Sequence, residues 1–262
     1  MMPSQLERDL LAVLDRRRLL GGLAVGLGGA ALAACGSRAG AQDDDLACAA
    51  TPTETRGPFP ADGSNGRPRP INVLALAGVV RRDVRPSFAG MQGRADGVPI
   101  ELELTLARAG GCSPLPGAAI YLWQNDAAGA YSLYDLPGEN YLRGLQPADA
   151  EGRVRFTAII PGCYGGRYPH CHFEVFAASE AALRGEPSLL VSQLALPDAE
   201  CRAIYGADAR YGESLHNLDR QPLESDFVFR DVAKGSVTSQ VLRLDGDPAR
   251  GYRGRATVSL DA

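Results

Sequence analysis

The chain has 262 residues, 45% hydrophobic and 22% charged, an ordinary globular composition rather than that of a disordered or fibrous protein. Its formal net charge is −4. No basic run follows the N-terminal segment, which excludes nucleic acid as an expected partner.

Arg16-Arg17-Arg18, the apolar run Leu19 to Leu32 and then Ala33-Ala34-Cys35 form an export signal: a basic start, a short apolar stretch and a small-residue stop. The run falls short of the roughly 20 residues that a membrane span needs. Paired arginines before Leu19-Leu20 resemble a twin-arginine signal, the route for proteins exported already folded, and Leu32 to Cys35 resembles a lipobox. Cys35 is then the expected lipidation site, with simple cleavage nearby as the alternative. The expected location is outside the cytoplasm, as a cell-surface lipoprotein or a secreted or periplasmic protein, with membrane contact only through the N-terminal lipid. Residues 1–35 are thus assigned to the signal, 36–50 to a flexible tether and 51–262 to one folded domain.

Thr51 to Pro70 is rich in Pro and Gly and is expected to wrap the core in extended form. From Ile100 to Ala107, Ile100, Leu102, Leu104 and Leu106 alternate with Glu101, Glu103 and Thr105, which predicts a half-buried strand. Further short strands are expected over 118–124, 153–160, 170–177, 188–196, 237–244 and 255–260. Gly, Pro, Asn and Asp clusters separate them, and residues 180–184 and 198–205 can each hold a turn or two of helix. The predicted fold is all-β, an antiparallel sandwich with long loops.

Read with period two, the strand at His170 puts Cys171, Phe173 and Val175 on an apolar face and His170, His172 and Glu174 on the other. Two imidazoles so spaced can reach one metal ion, although His-x-His alone is a weak signal. Nearby Tyr164, Tyr168 and Tyr131, with no zinc-like carboxylate or HExxH spacing, suggest phenolate as the remaining ligand type. A strongly Lewis-acidic ion is needed to hold tyrosinate near neutral pH, and iron(III) fits this better than zinc or magnesium.

The runs "YLWQNDAAGAYS", "DAEGRVRFTAIIPGCY" and "GRYPHCHF" resemble the intradiol ring-cleavage dioxygenases, the family of catechol and protocatechuate dioxygenases with non-haem iron(III). The resemblance extends over about Thr51 to Leu196 and implies the same β-sandwich. It implies Fe(III) held by Tyr131, Tyr164, His170 and His172, with Tyr164 the ligand displaced by substrate. It implies catalytic roles for Arg167, which stabilises negative charge on the ring, and for Gln193. "TETRGPFP" resembles a segment that approaches the active site, so Gly57, Pro58 and Phe59 are expected to line the pocket. Each residue also has a plainer reading: Tyr131 a turn tyrosine, Arg167 an ion-pair partner of Glu174, Gln193 a backbone ligand in a strand. His216 reads as a surface or loop histidine.

The implied activity is cleavage of a small aromatic diol by O2 between the two hydroxyl-bearing carbons, giving a cis,cis-muconate-type product. The alternative is a cell-surface module that binds catechols or iron-catecholates without turnover. The loop between Tyr164 and His170 is short, and the helical N-terminal domain of the catechol-type enzymes is missing from the pattern. The ring substituent is therefore undetermined, and a homodimer is left open. Setting Cys35 aside, five cysteines remain for an oxidising compartment. Cys171 falls on the core face and is expected to stay a free thiol. Cys48–Cys112 and Cys163–Cys201 are expected as bridges, the second pinning the loop that carries Tyr164.

Overall fold

A computed structural model describes residues 48–64, 71–232 and 240–261. The expected signal, Cys35 and most of the tether lie outside the described residues, as does the start of the strand expected at 237. No helix among the described residues is long and apolar enough to cross a membrane.

Among the described residues, eight strands form two four-stranded sheets. The strands are β1 (Pro99–Arg108), β2 (Ala119–Trp123), β3 (Arg143–Pro147), β4 (Arg153–Ile159), β5 (His170–Phe176), β6 (Leu190–Ala195), β7 (Arg243–Asp247) and β8 (Gly251–Leu260). One sheet runs β4-β1-β8-β7 and the other β3-β2-β5-β6. All neighbours are antiparallel except β1 and β8, which pair in parallel from Ile100–Tyr252 to Arg108–Leu260. That parallel pair departs from the expected purely antiparallel sheets. It is allowed because the two strands are separated by most of the domain, room enough for a crossover. Short helices α1 (Ser179–Leu183), α2 (Asp198–Ala207) and α3 (Ser214–Arg220) sit in the connections.

The alternation in β1 is realised as read: Ile100, Leu102, Leu104 and Leu106 are buried, and Glu101 is exposed. They meet Ile120 and Leu122 of β2 and Phe173 and Val175 of β5 in one apolar core between the sheets. Cys171 joins the same core as a free thiol. β5 is nevertheless buried on both faces. Its second face, with the outer side chains of β2, is covered by a strap formed by residues 51–62.

That strap is tied down along its length. Glu54 N–H donates to the Val191 carbonyl (2.8 Å), Ser192 Oγ to the Pro52 carbonyl (2.7 Å) and Tyr121 Oη to the Pro60 carbonyl (2.7 Å). Arg56 pairs with the buried Glu174 and donates to Ser188 Oγ (3.0 Å). Behind the strap, the Arg143 side chain has no exposed surface. It donates to the carbonyls of Phe59, Pro60 and Ser132 and to Ser132 Oγ, at 2.9–3.1 Å. A guanidinium used this way satisfies several loop carbonyls at once, and each buried carbonyl would otherwise cost about 1–3 kcal/mol.

The Cys48–Cys112 disulfide is present and joins residues 64 apart, anchoring the start of the strap to the turn after β1. Closing a loop of that length restricts the unfolded chain by about 4 kcal/mol in the chain-entropy account. Replacing Cys48 and Cys112 together with serine is therefore expected to lower unfolding stability by up to about that amount, read as an earlier denaturant midpoint.

The Cys163–Cys201 bridge is not formed; both are buried free thiols. Cys163 sits in an irregular loop rather than on a strand, and its Sγ points back at the Arg167 carbonyl (3.4 Å). Cys201 lies on α2 beside Tyr205. The loop that the bridge was expected to pin is held by hydrogen bonds instead. Ser214 Oγ accepts from Cys163 N–H (3.0 Å), Asn217 Nδ2 donates to the Cys163 carbonyl (2.8 Å), and Tyr205 Oη donates to the Pro161 carbonyl (2.8 Å).

Candidate metal centre and active site

Antiparallel register sets Trp123 of β2, His172 of β5 and Gln193 of β6 in one row across the sheet. The Trp123 indole stacks on the His172 imidazole with centroids 4.9 Å apart and planes 6° from parallel, which fixes the ring. Two residues earlier, His170 lies on the same face. Its Nδ1–H donates to the Tyr168 carbonyl (2.6 Å), so its Nε2 carries a lone pair. That Nε2 lies 3.0 Å from Nε2 of His172. Burial, and after it the Arg167 charge, pushes the His170 imidazole down to about 3. Burial first, then the neighbouring His170 ring and the Arg167 charge, which would oppose a second positive charge here, push His172 far down as well, so both rings are neutral.

Tyr131 lies on the loop after β2 and Tyr164 on the loop after β4. The two loops are joined by Gly162 N–H donating to the Asp126 carbonyl (2.9 Å) and Asn125 Nδ2 to the Gly162 carbonyl (2.8 Å). Gly162 is required there, since a Cβ would stand 2.4 Å from the Ala127 carbonyl oxygen. Ring centroids are 5.9 Å apart for Tyr131–Tyr164 and Tyr164–His170, 6.4 Å for Tyr131–His172 and 4.7 Å for the histidines. The four sequence-predicted ligands therefore come together. Tyr131 is buried and Tyr164 only partly so.

Two imidazole nitrogens bound to one ion by bonds of about 2.1 Å at about 90° stand about 3 Å apart, which matches the histidine pair. A hydrogen bond between the imidazoles would give the same separation. It would, however, leave the buried Tyr131 Oη without a well-formed hydrogen bond, beside the Tyr164 hydroxyl, where a metal would take it as a ligand. Burial raises the Tyr131 hydroxyl well above its ordinary range, so in the metal-free site it is a neutral phenol. Two neutral imidazoles and two phenols fit a hard trivalent cation, which supplies the positive charge that phenolate oxygens need. No group of three or more His, Cys, Asp or Glu is placed to hold a metal among the described residues.

Arg167 is buried beside the tyrosines. Its Nε donates to Asp226 Oδ2 (3.0 Å) and its Nη2 to Gln193 Oε1 (2.6 Å). Gln193 Nε2 in turn donates to the Thr55 carbonyl (2.8 Å), linking Arg167 to the strap. Arg167 does not pair with Glu174, which belongs to Arg56. Burial, with Asp62 close by, raises the Glu174 carboxyl to about 7 against the pull of Arg56. Gly57, with φ +67°, passes His172 so closely that a Cβ would lie 3.2 Å from Cε1. The Phe59 ring packs at 4.7 Å from Tyr131. Pro58 lies between them in the strap. His216 is exposed on α3.

Sequence reading missed Trp123, Arg143 and Asp226. Each acts on a site residue by a contact that only the fold creates, and Asp226 is 59 positions from its partner Arg167.

Residues 86–185 match the Dioxygenase_C family model, described as dioxygenase, and this stretch contains all four candidate ligands and Arg167. Over 79 residues the chain is 38% identical to the protocatechuate 3,4-dioxygenase beta chain of Burkholderia cepacia, a match of 25% of this chain and 34% of that one. The likeness to dioxygenases is thus carried by the segment around the four candidate ligands. The chain thus spans about a third of the length of this curated relative. The fold resembles an intradiol ring-cleavage dioxygenase from Tetranychus urticae (19% identity, TM-score 0.58, 82% of this chain and 95% of that one). It also resembles the dioxygenase domain of a carbohydrate-binding fusion from Streptomyces sp. SirexAA-E (22%, TM-score 0.51, 81% and 99%). At these identities the structural likeness speaks for the fold. Gln193, Asp226 and the strap lie outside the matched family segment.

The junction of the two tyrosine loops offers a direct check. Gly162→Ala is expected to cost about 1–3 kcal/mol of stability by overpacking. It should also weaken by about tenfold or more the binding of any metal held by both tyrosines, because it separates Tyr131 from Tyr164. Metal titration followed by thermal unfolding reads both effects.

Proposed function

We propose that the protein is an iron(III) intradiol dioxygenase that opens catechol-type rings with O2. The observation that carries this reading is the convergence of Tyr131, Tyr164, His170 and His172, with the histidine Nε2 atoms 3.0 Å apart and the Tyr131 hydroxyl buried beside that of Tyr164 without a well-formed hydrogen bond. Iron(III) bound by these four residues would supply Lewis acidity toward a bound catechol.

The chain's own residues have separate tasks. Tyr164, the partly exposed phenol, is the ligand suited to leave and take a catechol proton on its Oη. Tyr131, enclosed by Phe59 and Trp123's neighbours in the outer cluster, stays in place. Arg167 holds a permanent positive charge at the site, and its free Nη1 donors meet negative charge that develops on the ring. Gln193 and Thr55 fix the other end of that guanidinium, while Gly57 lets the strap lie against His172 and exclude water.

The test is oxygen uptake by iron-loaded protein with catechol, protocatechuate and hydroxyquinol, together with a visible tyrosinate-to-iron charge-transfer band. Uptake with ring opening is expected. Tight catechol binding without uptake would instead support the binding module. Export through the segment at residues 16–35 is part of the proposal and rests on that motif.

A further inference from the structure

We infer that Asp226, together with Phe227, is a positioning residue that aims one edge of the Arg167 guanidinium at the ring-binding site. The inference rests on the dioxygenase reading for its catalytic meaning, but its geometry stands alone. The Asp226 side chain has no exposed surface and accepts four hydrogen bonds. Oδ2 takes Arg167 Nε (3.0 Å) and Tyr168 N–H (2.8 Å), and Oδ1 takes the N–H groups of Val228 (2.9 Å) and Phe229 (3.3 Å). The carboxylate is thereby fixed by three backbone amides before it meets the arginine, so it acts as an anchor rather than a mobile counter-ion.

Three restraints then define the guanidinium. Asp226 takes the Nε edge, Gln193 takes Nη2, and the Phe227 ring lies 4.7 Å from Cζ. The nitrogen left over is Nη1, buried and without a partner. An arginine whose donors are all but one nitrogen occupied presents that nitrogen in a single orientation. The same segment also shapes the neighbouring ligand, since Phe229 packs 6.2 Å from the His170 ring and 6.4 Å from Tyr168, whose carbonyl sets the His170 tautomer.

The experiment compares wild type, Asp226→Asn, Phe227→Leu, Arg167→Gln and the Asp226→Asn/Arg167→Gln double variant. Asparagine cannot accept on both sides as the carboxylate does. With iron loaded, Asp226→Asn is expected to keep the charge-transfer band and to lower kcat by about 10–100-fold, with KM for catechol changed by less than about threefold. In the Arg167→Gln background the Asp226 change is expected to cost nothing further, because it acts through the arginine. Phe227→Leu keeps apolar volume and the charge pair, and it serves if Asp226→Asn folds poorly; a kcat loss smaller than that of Arg167→Gln is expected. A readout independent of turnover is the guanidinium Nε–H resonance of Arg167 in metal-free protein, identified by its loss in Arg167→Gln. It is expected to be protected from exchange in wild type and to shift and lose protection in Asp226→Asn.

Unchanged kcat in both Asp226→Asn and Phe227→Leu, a multiplicative loss in the double variant, or an unmoved resonance overturns the inference. A wild type that opens no catechol-type ring overturns the dioxygenase reading instead. The resonance then still reports whether Asp226 holds Arg167.

Discussion

Tyr131→Phe is expected to stabilise the metal-free protein while removing its function. The Tyr131 hydroxyl is buried beside the Tyr164 hydroxyl with no well-formed hydrogen bond, and an under-satisfied buried hydroxyl costs up to about 1–3 kcal/mol. Phenylalanine removes that cost and keeps the ring contact with Phe59. In metal-free protein, thermal or denaturant unfolding should therefore show equal or greater stability, by about 1–2 kcal/mol. With iron(III) the sign reverses. Loss of a phenolate ligand should weaken metal binding by more than about 100-fold, change the charge-transfer band and abolish ring opening. Opposite signs in the two states are the signature of a residue kept for the metal. A purely structural turn tyrosine would lose stability, or change nothing, in both.

Arg167→Gln is expected to lower kcat by about 10²–10³-fold while leaving iron and its colour in place, the usual scale for removing one oriented electrostatic donor. The same change leaves Asp226 as an unpaired buried carboxylate, and breaking a buried ion pair costs about 3–5 kcal/mol. Adding Asp226→Asn should return part of that stability without returning activity. Activity and stability thus separate at this pair: the charge serves the reaction, and the carboxylate serves the charge. If stability and kcat instead recovered together in the double variant, the arginine would be a structural group.

The sandwich and half of the site were legible because they follow from period-two patterns. One strand, β5, carries both: its apolar phase placed Cys171, Phe173 and Val175 in the core, and its opposite phase aligned His170 with His172. By contrast, β3 reads Arg-Gly-Leu-Gln-Pro, with one apolar residue to signal it. Its Arg143 is buried because the strap and the Tyr131 turn bring carbonyls to it, and Gly144 is needed because a Cβ would sit 2.6 Å from Val84. Neither fact has a local trace. The parallel β1–β8 pair was hidden for the same reason, since register between distant strands is a property of the whole chain.

The cysteines show where local phase fails. Cys171 sits on a strand, and phase placed it correctly. Cys163 sits in a loop, where no phase applies, and its expected link to Cys201 was an argument from need. The Tyr164 loop did need pinning, but α3 does it through Ser214 and Asn217. Peptide mapping after alkylation of unfolded, unreduced protein should find Cys163, Cys171 and Cys201 modified and Cys48 and Cys112 protected.

The most direct test of the central reading is the product formed from catechol by iron(III)-loaded protein under O2. The expected result is a cis,cis-muconate with one O2 consumed per ring, formed by cleavage between the two hydroxyl-bearing carbons. A semialdehyde from cleavage beside the diol, a quinone without ring opening, or no oxygen uptake across catechol, protocatechuate and hydroxyquinol would contradict it.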